Sequence, residues 1–304
     1  LHERVLLARV RGERDTLTDG YVDAFAKALT DGETDRALLA EILTLPSESY
    51  LGDSMDTVDV DAIHAAREGL MAALAARLRA DLQAVHAANA GAGEYSIAPQ
   101  AMAARALRNT VLAYLARLGD DESRALCVHQ YHAAGNMTDV LAALARVAHS
   151  DWRERDELLA DFHDRWRHDP LVLDKWFALQ ATSPRPDALA RVTALMDHPG
   201  FSLANPNRVR ALVGSFVAGN PVRFHAKDGS GYRFLADIVL QLDAINPQTA
   251  ARLLRHMSRW RRHDAQRQAL MAGELRRVLA QGGLSPDTYE VASRSMAPDR
   301  KETA

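Results

Sequence analysis

A chain of 304 residues with 47% hydrophobic side chains is long enough for one large or two small domains around a buried core. Its 54 alanines, 6% aromatic content and lack of β-branched runs point to helices packed closely through small side chains. Thirty-three arginines stand against four lysines, but a net charge of −3 argues against nucleic-acid binding, and no apolar run reaches the ~18 residues of a membrane span.

Leu1 to Val10 reads as the tail of a helix entered partway, with no signal-peptide pattern and no initial Met, so a domain excised from a longer protein is expected. Helical periodicity begins near Thr18 and resumes after Thr34, where Leu38, Leu39 and Ile42 form a short apolar face. Leu45-Pro46-Ser47 stops that helix, and the run to Asp56 reads as loop. From Asp61 a long helix is predicted, with Ile63, Leu70, Leu74, Leu78, Leu82 and Val85 on one stripe, ending in Asn89 to Gly93. Pro99 starts another, with Leu107, Val111, Tyr114 and Leu118 inward, broken at Gly119-Asp120. Helices at about 121–134, 137–148, 152–167 and 171–182 follow in quick succession. After the joint Thr182 to Pro186 a helix runs to Met196. Further helices are predicted from Asn205-Pro206 and near 231–244, 247–260, 264–280 and 286–296, with a polar, frayed tail from Pro298.

About fourteen helices with short connectors and no strands read as an all-α fold, an irregular α-solenoid or superhelix of antiparallel helix pairs. No fixed repeat and no internal boundary is visible, so residues 1–304 are read as a single domain.

Charge is uneven along it. Residues 1–61 hold 14 acidic and 6 basic side chains, whereas 205–280 hold 13 basic and 5 acidic. The basic segment contains two Asn-Pro helix starts, at 205–206 and 246–247, each with Asn as N-cap and Pro at the first helical position. Arg208 and Arg210 follow the first. Gln248 and Arg252, four apart and on one face, follow the second. Together these make a positively biased patch. Arg252, Arg255, Arg259 and Arg262 continue at helical spacing, and spacing alone leaves open whether they face solvent or a cavity.

Chemistry-bearing constellations are weak. His129/His132 and His163/His168 could each clip a metal on a helix, but neither has further ligands nearby in sequence. Cys127 and His129, two apart, point in different directions on a helix, so Cys127 reads as a packed small hydrophobe. A single Cys excludes an internal disulfide and fits a reducing, cytoplasmic setting. Asp228-Gly229-Ser230-Gly231 reads as a capped helix start rather than a phosphate loop, and Trp152, Trp166, Trp176, Trp260 and Phe177 as fillers of helix seams.

The stretches NPNRVR (205–210), FHAKDGSGY (224–232) and NPQTAARL (246–253) closely resemble the C-terminal domain of the bacterial aminopeptidase N family of zinc metallopeptidases. The resemblance continues upstream through LAEILTLPS (39–47), ARALRN (104–109), NMTDVLAAL (136–144) and LDKWFALQATSP (173–184), covering essentially the whole chain. It implies a superhelix of helix pairs closing over a preceding catalytic domain, which holds the zinc and removes N-terminal residues from short peptides. It also implies that Arg210, Gln248 and Arg252 face the substrate chamber. The chain itself shows no catalytic or metal residues: His2-Glu3 lacks the second His of H-E-x-x-H, and Gly135-Asn136-Met137 is not followed by the glutamate of the family's amine-binding loop. Two rivals are a free-standing α-solenoid scaffold binding a protein partner, and a self-sufficient hydrolase, for which no residues are found.

Overall fold

The computed structural model of the chain describes residues 1–14, 16–91 and 95–298; the expected helix end at Gly93 and the tail after Pro298 lie outside them. The described residues are helices and connectors without a strand, so the fold is all-α, of the α-solenoid kind. Contacts gather into two compact units, one of Leu1–Leu51 with Asp61–Asp161, the other of Gly52–Val60 with the chain from Phe162 onward.

The first part of the chain forms α1 (His2–Val10), α2 (Asp19–Leu29), α3 (Arg36–Leu43), α4 (Glu48–Asp53), α5 (Val60–Arg77), α6 (Arg79–Ala88), α7 (Pro99–Leu115), α8 (Asp121–Ala133), α9 (Met137–Ala148) and α10 (Arg155–Trp166). Side-chain caps set many of the starts. Asp35 accepts from the N–H groups of Ala37 and Leu38, Asp120 from Ser123, and Asn136 from Asp139. The first unit is organised on α7, which packs against α3, α6 and α9. Leu107, Val111 and Tyr114 are buried there, and the Tyr114 hydroxyl donates to the Leu43 carbonyl at 2.5 Å.

Four expectations are corrected here. The run after Ser47 is not all loop, because Ser47 accepts from the Tyr50 N–H and starts α4. The helix from Asp61 is two helices: Leu78 leaves helical geometry (φ −119°, ψ 24°) yet stays buried, so the stripe continues inward through Leu82. Beyond it His86, not Val85, is buried, because it is hydrogen-bonded to the buried Gln130 at 2.8 Å. On α3 the apolar face is Leu39, Ala40 and Leu43, while Leu38 and Ile42 are exposed, a shift of one residue around the helix.

The second unit continues with α11 (Pro170–Ala181), α12 (Ala188–Leu195), α13 (Pro206–Val209), α14 (Ser215–Gly219), α15 (Pro221–Phe224), α16 (Ser230–Asp243), α17 (Pro247–Leu254), α18 (Ala265–Leu279) and α19 (Pro286–Met296). Residues 210–214, between α13 and α14, form a π-helical turn. The helix expected to reach residue 260 ends at Leu254 and tightens into a 3₁₀ turn, Arg255–Met257. The three-residue period of that turn keeps Leu254 and Met257, both fully buried, on one face. It also dissolves the arginine stripe as a single helical row. Of the aromatic fillers, Trp176 and Phe177 are buried, whereas Trp152, Trp166 and Trp260 are half-buried.

The turn at 228–231 forms as a helix start. The Asp228 carboxylate accepts from the N–H of Ser230 at 2.9 Å, and Gly229 takes φ +71°. Gly231 is required for a different reason: a Cβ there would overlap the Phe224 carbonyl.

Candidate functional site

The Asn-Pro starts work as caps. The Asn205 side chain accepts from the N–H groups of Asn207 and Arg208, and that of Asn246 from Thr249. Pro206 and Pro247 occupy first-turn positions, where a missing N–H leaves nothing unsatisfied. The side chains just inside these caps then diverge.

Arg208 turns inward. It is 7% exposed, donates to the carbonyls of Gly200 and Pro170 at 2.8 Å each, and pairs with the Asp174 carboxylate. Its guanidinium also lies 6.0 Å from the Phe177 ring. Arg208 is therefore a staple between α13 and α11, and its expected place in a basic patch with Arg210 is corrected. Arg210, two residues on and at the start of the π turn, is exposed, and among the described residues its guanidinium donates to the Asn207 side chain alone, at 3.1 Å.

Arg210 lines a cavity of about 480 Å³ together with Pro206, Ser215, Thr249, Arg252 and His256. On an adjoining face of α17, a basin of about 1180 Å³ is lined by Gln248, Arg252, Arg255, Arg259 and Arg261 with parts of α19. Arg252 belongs to both. The three residues singled out from sequence, Arg210, Gln248 and Arg252, are thus brought to two adjoining concavities within one unit, and all three are exposed. Such a site can bind anions and peptide carbonyls, since it presents fixed cations and an amide, with no nucleophile among those residues.

The other histidines and the cysteine are placed elsewhere. His129 and His132 are exposed and Cys127 is fully buried, which pushes its thiol up to about 12. His163 pairs not with His168 but with His198, Nε2 to Nε2 at 3.1 Å, beside Trp176. The Gly200 N–H donates to His198 Nδ1 at 2.9 Å, so the His198 proton sits on Nε2 and is donated to His163. A metal there would have to displace that proton. Burial, then the neighbouring His163, lowers the His198 pKa. His225 and His263 stack at 4.4 Å; burial holds His225 well below the usual imidazole range and brings His263 to about 4. Among the described residues no three His, Cys, Asp or Glu side chains converge as metal ligands.

Two of the stretches quoted above meet in a buried polar cluster of the first unit. Asn109 donates to the Asp139 carboxylate at 2.8 Å, Asn136 to the same carboxylate at 3.0 Å, and Gln130 to the Asn109 oxygen at 2.8 Å. Asp139 and Gln130 are buried, so this is a structural clasp joining α7, α8 and α9. Asn220 does the same in the second unit, donating to the carbonyls of Ala181 and Ser183 at 3.0 and 2.6 Å. Sequence reasoning missed these roles because the partners lie up to 39 residues away.

The model of the family described as "Domain of unknown function (DUF3458_C) ARM repeats" matches residues 1–297. The chain is 41% identical over 287 residues to Aminopeptidase N of Escherichia coli (strain K12), covering 94% of this chain and 33% of that protein. It is also 41% identical over 293 residues to Aminopeptidase N of Caulobacter vibrioides, covering 96% of this chain and 34% of that one. Among solved structures, the Legionella pneumophila aminopeptidase A in complex with aspartic acid superposes with a TM-score of 0.88 at 30% identity, over 97% of this chain and 35% of that one. The chain spans about a third of the length of the relatives it matches.

Proposed function

The chain belongs to the ARM-repeat family DUF3458_C, the C-terminal domain of bacterial aminopeptidase N, and from that premise we propose that residues 1–304 act as one non-catalytic cap over the active-site chamber of a zinc aminopeptidase. The zinc would be held by a preceding catalytic domain of the same polypeptide; among the described residues of this chain no three candidate ligands converge to hold it. In this reading the parent enzyme is cytoplasmic and removes N-terminal residues from peptides. The cap narrows entry to short or unfolded ones and excludes bulk water around the substrate.

One observation carries the reading. Arg252 is shared by two concavities, one completed by Arg210 and the other by Gln248, and both arginines are exposed rather than spent on structural contacts. A cap can touch only the part of a substrate that extends away from the zinc. Arg210, Gln248 and Arg252 would therefore bind carbonyls or a carboxylate beyond the scissile bond.

The test uses the full-length enzyme. Arg210→Ala and Arg252→Ala are expected to lower kcat/KM for a tetrapeptide by roughly ten- to a hundredfold, the equivalent of losing about 1.5–3 kcal/mol of charge-assisted hydrogen bonding. The loss for an aminoacyl anilide, too short to reach the cap, should be much smaller. Equal losses on both substrates, with zinc content and Tm unchanged, would remove these arginines from the substrate path.

A further inference from the structure

We propose that the basin beside α17 is a carboxylate site, in which Arg255, with Arg252 next to it, holds the free C-terminal carboxylate of a bound peptide. This rests on the chamber reading above and adds the chemical class of the group recognised there.

Of the five arginines lining the basin, three have partners. Arg259 pairs with Asp53 at 2.7 Å, and Arg294 with Glu290 at 2.8 Å. Arg261 donates to the carbonyls of Ser295 and Ala297 at 2.9 and 2.8 Å and lies 4.2 Å from the Trp260 ring centre. Arg261 braces α19, and Arg259 the segment around Asp53, against the turns after α17, while the Arg294–Glu290 pair lies within α19. Arg252 and Arg255 do none of this. Both are exposed into the basin, and among the described residues neither guanidinium has a hydrogen-bond or ion-pair partner.

The two stand three residues apart, where α17 passes into the 3₁₀ turn, so they are surface neighbours. Like charges placed side by side without a counter-ion repel, and an anion reaching both relieves the repulsion. The carboxylates on the same wall do not serve. Glu290 is held by Arg294, and Asp287, in the first turn of α19, is bonded to neither guanidinium. Guanidinium forks match a carboxylate in two-point geometry, and every unmodified peptide ends in one. Volume favours a peptide over a small free anion: about 1180 Å³ exceeds the ~300–1,000 Å³ of ordinary small-molecule sites. Gln248, one turn before Arg252 on the same wall, can bond a flanking peptide group.

The experiment measures kcat/KM of the full-length enzyme for one tetrapeptide as the free acid and as the C-terminal amide, at low ionic strength. Wild type should favour the acid by about tenfold, the size of effect one charge-assisted contact produces, and 0.5 M salt should shrink the preference. Arg255→Ala should reduce the preference to under about twofold. Because Arg255 is exposed and unbonded, the variant should melt with wild type, which thermal unfolding checks directly. A wild-type ratio near one, or a ratio unchanged in Arg255→Ala, overturns the proposal. If that happens while Arg210→Ala and Arg252→Ala still penalise the tetrapeptide more than the anilide, the carboxylate site falls and the chamber reading stands. If the length dependence is also missing, both fall.

Discussion

Arg208 and Arg210 stand two residues apart, and the structure gives them opposite fates under the same substitution. Arg208→Ala removes two bonds to main-chain carbonyls and strands the Asp174 carboxylate, whose side chain is 20% exposed. Leaving a buried partner uncompensated costs about 3–5 kcal/mol, and the partial exposure of Asp174 places the expected loss near the lower end, about 3 kcal/mol. Arg210→Ala removes one exposed contact to Asn207 and should stay within about 0.5 kcal/mol. The assay is urea unfolding of the chain followed by tryptophan fluorescence. Trp166, Trp176 and Trp260 all belong to the second unit, so the signal reports on the region around Arg208. The double variant Arg208→Met with Asp174→Leu should recover much of the loss, since no charge is then left unpaired. A loss under about 1 kcal/mol for Arg208→Ala, or an equal loss for Arg210→Ala, would refute the division of labour.

The stacked His225 and His263 should make the second unit acid-sensitive. Their folded pKa values lie below the unfolded one, so the unfolded state binds more protons as pH falls below about 6.5, and stability drops until the folded pKa of His263, about 4, is passed. Arg267, Arg262 and Arg259 oppose protonation of His263 and Asp264 favours it. His263→Phe should flatten the dependence of urea midpoint on pH between 6.5 and 4. In the first unit, Asp139→Ala should cost about 3 kcal/mol in the same assay, by leaving the amides of Asn109 and Asn136 without their acceptor. The isolated chain should be helical by circular dichroism, retain no stoichiometric zinc and fail to hydrolyse an alanyl anilide.

Local signals were legible in the sequence where the physics is local. Alanine-rich periodicity and the Asn-Pro caps announced an all-α chain, and helix spacing put Gln248 and Arg252 on one face, as found. What was not legible depends on distant partners or on small changes of helical period. Arg208 and Arg210, two apart, point away from each other on any helix, and the inward contacts of Arg208 depend on partners up to 38 residues away. The arginine spacing from 252 to 262 fits a helical row, but the helix ends at Leu254. On α3, Leu38 and Leu39 are equally apolar, and only packing against α7 selects Leu39. The meeting of His163 with His198 joins segments 35 residues apart. Several of the long motifs that carry the family resemblance, among them those containing Asn109, Asp139 and Asp174, hold helices together.

The most direct test of the chamber role is a crystal structure of the full-length enzyme with a slowly cleaved tetrapeptide analogue bound at its zinc. The expected result places the guanidinium of Arg210 or Arg252 within hydrogen-bonding distance, about 3 Å, of the analogue beyond its second residue, with the α17 basin opening onto the same chamber. Finding both concavities open to bulk solvent, with no path to the zinc and no contact to the analogue, would contradict it.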